Sequence, residues 1–169
     1  IMKKLMKTEL AKKCKSIKIV LTDVDGVLTD GGMYYSKNGE VMKKFNTRDG
    51  MGVELLSKNH IGTIIITKEK SEIVKQRGKK IKVLKTYIGI SKKENLLDKI
   101  CKENKVGLNN IAYIGDDIND LEIMKRVGFS ATPKNGIEKI KNISDYICES
   151  NGGDGVFREI TELIISLKK

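Results

Sequence analysis

The sequence predicts an α/β protein: a three-layer, doubly wound (Rossmann-like) parallel sheet carrying a β-hairpin flap after its first strand. Three observations predict it. Short β-branched runs alternate with helical patterns almost from end to end, the signature of parallel strands joined by crossover helices. The run at 61–66 (IGTIII) is continuously apolar, as a strand covered on both faces must be. Residues 33–45 break the alternation once, with two strand-like runs around Asn38-Gly39, a favoured hairpin turn pair.

Taken in order, residues 17–21 (IKIVL) are rich in β-branched side chains and read as the first strand. The hairpin follows and projects from the carboxyl edge of the sheet, where ligands bind in open α/β folds. Helices are expected over 50–58, 69–80, 91–104 and 117–127. Between them lie strands at 61–66, 111–114 and, more weakly marked, 81–84. A last helix over 156–167 places Val156, Ile160, Leu163, Ile164 and Leu167 on one face. No repeat, low-complexity tract or long linker divides the chain, so residues 1–169 are expected to form one domain.

Composition narrows the function. No apolar run approaches the ~18 residues of a membrane span. Residues 1–15 are basic but lack an apolar core followed by a small-residue cleavage site, so no secretion signal is expected. Cys14, Cys101 and Cys148 are odd in number and widely spaced, which fits reduced thiols in a cytoplasmic protein. The net charge of +11 raises nucleic-acid binding as a function, but only Arg48, Arg77, Arg126 and Arg158 are arginines among 33 basic residues. Aromatics are 5% and the lysines are dispersed, so a solvated basic surface that attracts anionic substrates is the better reading.

Two acidic motifs carry the chemistry. Asp23-Val24-Asp25-Gly26-Val27 sits where the first strand becomes a loop. A carboxylate there can attack phosphorus if a metal holds the phosphoryl group and offsets charge repulsion. A second carboxylate two residues on is suited to protonate the leaving oxygen and then to activate water. The plain alternative is a solvated Asp-Gly turn. Gly115-Asp116-Asp117-Ile118-Asn119-Asp120 follows the strand at 111–114, and acids clustered there make a hard-oxygen site suited to Mg²⁺. Its plain alternative is a helix start capped by Asp. Thr67, ending the strand at 61–66, can donate its hydroxyl to phosphate, and Lys93 can neutralise phosphate charge and orient the nucleophile.

The order acid pair, Thr, Lys, acid cluster resembles the haloacid dehalogenase superfamily, whose motifs match DVDGV, the Thr of IIIT, Lys93 and GDDIND. The resemblance implies that Asp23 is the nucleophile and Asp25 the general acid/base. It implies Mg²⁺ held by Asp23, the backbone carbonyl of Asp25, and Asp116, with Asp117 and Asp120 supporting the metal and the lysine from behind. An acid at position 25 points to a phosphatase or mutase over a dehalogenase.

DVDGVLTDGG, the hairpin, FNTRDGMG (45–52) and GGDGVFRE (152–159) are further similar to the capless 3-deoxy-ulosonate phosphate phosphatases, and no insert after the hairpin or Thr67 is long enough for a cap domain. That branch implies a homotetramer in which hairpins assemble a barrel and a neighbouring subunit helps close each site. It implies KDO 8-phosphate, or the nine-carbon KDN and N-acylneuraminate 9-phosphates, as substrate. The eight-carbon enzymes usually follow the motif Thr with Gly-Arg, whereas here Lys68-Glu69 follows Thr67. Glu69, Arg77 and Lys80 match the nine-carbon pattern, and that substrate is the expectation, with KDO 8-phosphate as the alternative. A third reading, a silent phosphatase-like module of nucleotide-sugar synthesis, sits poorly with a full set of motif residues. Glu69 and Arg77 would share a helix face two turns apart. Arg48 is a candidate for bidentate binding of the sugar carboxylate, or for a subunit ion pair. The glycine-rich tail 152–155 reads as a lid anchored by Arg158, or as a plain loop capping the last helix.

Overall fold

The computed structural model describes residues 7–168. The reading of residues 1–15 therefore falls partly outside it; within it, helix α1 (Lys7–Ser16) leads into strand β1 (Ile19–Thr22). The hairpin is β2 (Tyr34–Ser36) and β3 (Gly39–Met42). Then come α2 (Thr47–Lys58), β4 (Gly62–Ile66), α3 (Glu72–Lys80), β5 (Lys85–Tyr87), α4 (Leu97–Asn104) and β6 (Ile111–Ile114). The chain closes with α5 (Leu121–Arg126), β7 (Phe129–Thr132), α6 (Glu138–Lys141), β8 (Tyr146–Ile147) and α7 (Val156–Lys168).

Six strands form one parallel sheet in the order β5-β4-β1-β6-β7-β8. Successive side chains on a strand point to opposite faces, and here both faces are apolar. Val20, Ile65, Ala112 and Ile114 face one core with Val53 and Leu56 of α2, Val74 of α3 and Phe157, Ile160 and Ile164 of α7. Ile19, Leu21, Ile64, Ile66, Ile111 and Tyr113 face the other, against Leu97 and Ile100 of α4, Ile123 and Met124 of α5 and Ile140 of α6. That two-sided burial makes the three layers of a doubly wound fold. Among the described residues no helix is long and apolar enough to cross a membrane.

Several boundaries differ from the sequence expectation for local reasons. Helix α2 starts three residues early because the Asn46 side chain caps it, accepting from the Arg48 N–H at 2.9 Å. Helix α3 starts late: Ser71 is its cap, so Glu69 lies in the preceding loop and shares no helix face with Arg77. The expected strand at 81–84 is a turn. Ile81 closes α3, Lys82 is left-handed at φ 58°, and Ile81 and Val83 pack on the core from there, while the strand runs over Lys85–Tyr87. In the hairpin the turn pair is Lys37-Asn38, and Gly39, at φ 107°, opens β3. The region 91–104 is a 3₁₀ turn (Lys93–Leu96) followed by α4, and 117–127 a 3₁₀ turn (Ile118–Asp120) followed by α5.

Candidate active site

Strand β1 lies between β4 and β6, and the chain winds outward from it in both directions, so the carboxyl ends of β1 and β6 flank the topological switch point. Asp23 extends the β1 ladder, donating its N–H to the Ile114 carbonyl at 3.0 Å. Asp116 follows β6 after one glycine, and Thr67 is the first residue past β4. A cavity of about 300 Å³ opens there, lined by Asp23, Asp25, Thr67, Lys68, Glu69 and Asp116, with Met33, Asp117, Ile118 and Asn119 at its sides.

Beneath the cavity a buried polar network fixes the acids. Lys93 is fully buried, and its Nζ lies 2.9 Å from Asp23 Oδ1 and 2.7 Å from Asp120 Oδ1. Tyr113, also fully buried, donates its hydroxyl to Asp120 Oδ1 at 2.6 Å. The other Asp120 oxygen accepts the Asp116 N–H at 3.0 Å. Burial works against the charge of Lys93, but Asp23 and Asp120 outweigh it and hold its pKa above the ordinary lysine value. Burial, reinforced by Asp120, pushes the Asp23 carboxyl up, with Lys93 pulling against it. Burial and the nearby Asp120 and Asp117 carboxylates raise Asp116 to about 7.

These crowded carboxylates fit a divalent cation. Asp23, Asp116 and Asp120 can bring one oxygen each within 4.8 Å of one another. Asp120 is already spent on Lys93, Tyr113 and the Asp116 N–H, so Asp23 and Asp116 are the side chains left to bind. Asp116 Oδ1 is buried without a hydrogen-bond partner, an arrangement that costs roughly 1–3 kcal/mol unless something binds it. The approach also depends on Gly26: a Cβ there would fall 1.9 Å from Asp116 Oδ2. Asp117 lies at the rim and accepts the Ile118 N–H at 2.6 Å, capping the 3₁₀ turn that delivers Asp120.

Thr67 is buried, and its hydroxyl oxygen accepts the Glu69 N–H at 3.2 Å, which leaves the hydroxyl proton free to donate into the cavity. The remaining predicted residues divide. Glu69 lines the cavity beside Lys68. Arg77 does not reach it: its guanidinium donates to the Asn46 carbonyl at 3.0 Å and lies 5.3 Å above the Phe45 ring. Lys80 is exposed on α3 and lines no part of it. Arg48 and Arg158 instead border a separate surface hollow, where Arg158 pairs with Glu162 at 2.7 Å.

The tail 152–155 packs against the loop after β1. Gly153 donates to the Val27 carbonyl and receives the Asn46 side chain on its own carbonyl, both at 3.0 Å. A Cβ at Gly152 would fall 1.9 Å from the Gly26 carbonyl oxygen. The tail thus buttresses the loop that carries Asp25. Two participants carry no reading in the sequence, Tyr113 and Lys43, and a third, Asp49, enters there only as part of the segment 45–52. Lys43 sits immediately past the hairpin with its side chain fully buried, its Nζ 2.6 Å from Asp25 Oδ1 and 2.7 Å from Glu40 Oε1. Asp49 caps α7, accepting the Arg158 N–H at 3.1 Å. A lysine among many lysines gave no signal; Tyr113, a polar-tipped ring inside an otherwise aliphatic strand, offered a faint one.

Residues 58–160 match the haloacid dehalogenase-like hydrolase family. The chain belongs to that family. It is 35% identical over 156 residues to 3-deoxy-D-manno-octulosonate 8-phosphate phosphatase of Haemophilus influenzae, covering 92% of this chain and 87% of that one. A solved Moraxella catarrhalis phosphatase of the same name, in complex with magnesium, phosphate and KDO, superposes with a TM-score of 0.92 at 36% identity, covering 96% of this chain and 94% of the other. The cobalt-bound Haemophilus influenzae enzyme superposes at 0.90 with 35% identity, covering 92% and 91%. These haloacid dehalogenase-like relatives favour the eight-carbon alternative over the nine-carbon expectation.

Proposed function

We propose that this chain is a Mg²⁺-dependent phosphatase that hydrolyses KDO 8-phosphate through an aspartyl-phosphate on Asp23. The observation that carries the reading is the convergence of Asp23, Asp25, Thr67 and Asp116 on one cavity, with Lys93 behind the nucleophile. Asp23, Asp116 and the backbone carbonyl of Asp25 would hold the cation, which supplies charge neutralisation for the incoming phosphoryl group. Asp23 attacks phosphorus through the oxygen not engaged by Lys93. The P–O bond to the sugar breaks as Asp25 passes a proton to the departing oxygen. Asp25 then takes a proton from the water that hydrolyses the aspartyl-phosphate. Thr67 donates to a phosphoryl oxygen, and Lys93 holds the Asp23 carboxylate in line.

A nine-carbon 9-phosphate is the second reading, favoured by Glu69 in the cavity wall where it can bind substrate hydroxyls. Phosphate release from KDO 8-phosphate and KDN 9-phosphate, measured in parallel with Mg²⁺ and with chelator, separates the two. A preference for the eight-carbon substrate supports the first reading, a preference for KDN 9-phosphate the second, and no release from either overturns both. Asp23→Asn is expected to abolish turnover with an unchanged circular dichroism spectrum. We take the working unit to be a homotetramer closed through the hairpin, which exposes Tyr34, Tyr35, Val41 and Met42. Light scattering on Tyr35→Glu/Val41→Glu against the parent tests this, and an unchanged mass would exclude the hairpin as the contact.

A further inference from the structure

We infer that Lys43 is a positioning residue for Asp25, making the hairpin part of the acid–base apparatus; the inference rests on the phosphatase reading above. Burying an ammonium is expensive unless it is paired and hydrogen-bonded. Lys43 meets that demand with two carboxylates, Asp25 Oδ1 at 2.6 Å and Glu40 Oε1 at 2.7 Å, and its own side chain has no exposed surface. Glu40 is held in turn by the Ser71 hydroxyl, which donates to its other oxygen, while the Ser71 oxygen accepts the Val74 N–H at 3.4 Å as the cap of α3. A continuous polar chain therefore runs from the start of α3 through β3 to the loop after β1.

The chain selects one oxygen of Asp25. Oδ1 is taken by Lys43, whereas Oδ2 is buried with no protein partner. The proton that travels to the leaving oxygen must be carried on the free one. An aspartate has a freely turning carboxyl group unless something fixes it, and misplacing a catalytic group by about 1 Å can cost on the order of a hundredfold in rate. Lys43 fixes that rotation from outside the strand that supplies Asp25, so the correct carboxyl orientation exists only when the hairpin is folded against the sheet. Glu40 completes the arrangement, since without it Lys43 would have a single anchor.

The dependence of rate on leaving group tests this. A sugar alkoxide needs a proton to depart, whereas p-nitrophenolate leaves without one, and kcat/KM reports only the steps through departure. Lys43→Met is expected to lower kcat/KM for KDO 8-phosphate at least roughly tenfold while p-nitrophenyl phosphate loses less than about threefold. Glu40→Gln should show the same asymmetry in smaller measure, and it keeps the test open if Lys43→Met folds poorly. Equal losses on both substrates, or no loss on either, would overturn the inference by making Lys43 a plain structural tie. Failure of the parent enzyme to release phosphate from KDO 8-phosphate would instead strike the phosphatase reading, leaving the two failures distinguishable.

Discussion

Lys93 and Asp120 meet at 2.7 Å with neither side chain exposed to solvent. The pair gains its full attraction because the site is dry, but each partner would be costly alone. Both Asp120 oxygens are engaged within the protein, Oδ1 by Lys93 and Tyr113 and Oδ2 by the Asp116 N–H, and Lys93 is held between Asp120 and Asp23.

Lys93→Met is therefore expected to remove activity and also to destabilise the fold by about 3–5 kcal/mol, since it strands Asp120 and Asp23 in the interior. The double substitution Lys93→Met/Asp120→Leu should recover much of that stability without recovering activity. Urea unfolding of the single and double variants measures both. A double variant no more stable than the single one would mean that Asp23, rather than Asp120, carries the penalty.

Asp49 gives a pH dependence whose sign can be worked out. Burial raises its pKa from 3.8 to about 6, against the pull of the Arg158 and Phe157 N–H groups and the Arg77 charge. An unfolded chain releases this proton near 3.8, whereas the folded one keeps it to about 6. Between those values the folded state binds more protons, so stability falls as pH rises through the window and levels off above it. The loss amounts to on the order of 3 kcal/mol. Asp49→Asn retains an acceptor for the α7 cap without the charge, so the variant should lack this component. Unfolding titrations of the two proteins from about pH 4 to pH 7 that run parallel would remove Asp49 as the source.

What the sequence made legible follows from range. Strand β6 and the positions of Asp23 and Asp116 just beyond strand ends are legible because apolar runs and the residues after them are local facts, whereas the pairing of β1 with β6 that brings the two acids together is not. Strand β7 is not legible in the sequence because two of its four buried residues are polar: Ser130 is satisfied by Asp145, fifteen positions away, so its burial leaves no apolar period. Strand β8 has two residues and no pattern to read. Lys43 acquires its meaning only when the hairpin returns to Asp25, eighteen positions back. A helix over 69–80 would put Glu69 and Arg77 on one face; the Ser71 cap starts the helix after Glu69 and separates them.

Gly152 tests the buttress under the catalytic loop. Its Cα lies so close to the Gly26 carbonyl that one added methyl must displace backbone, not a flexible side chain. Gly152→Ala is expected to cost about 1–3 kcal/mol of stability and to lower turnover, because the strain falls on the loop between Asp25 and Thr29. Thermal unfolding and phosphate release on the same sample decide it. Reduced stability with undiminished turnover would show that the tail yields and the loop does not.

Lys68 tests how the cavity attracts its substrate. Five carboxylates line the cavity, from Asp23, Asp25, Glu69, Asp116 and Asp117, and Lys68 is the one basic side chain among the lining residues. An anionic sugar phosphate entering this site meets repulsion that a bound cation relieves at the phosphoryl end only. On the KDO 8-phosphate reading the sugar carboxylate needs its own partner, and Lys68, exposed and lining the cavity past Thr67, is the basic side chain within it that could provide one. Because that contact is made equally in the ground and transition states, its loss should raise KM and spare kcat. Lys68→Ala is expected to raise KM for KDO 8-phosphate roughly tenfold, equivalent to about 1.4 kcal/mol. The effect should weaken in high salt, where a rim charge is screened. A fall in kcat at constant KM would instead place the Lys68 ammonium on the phosphoryl group in the transition state, and make the residue part of the chemistry.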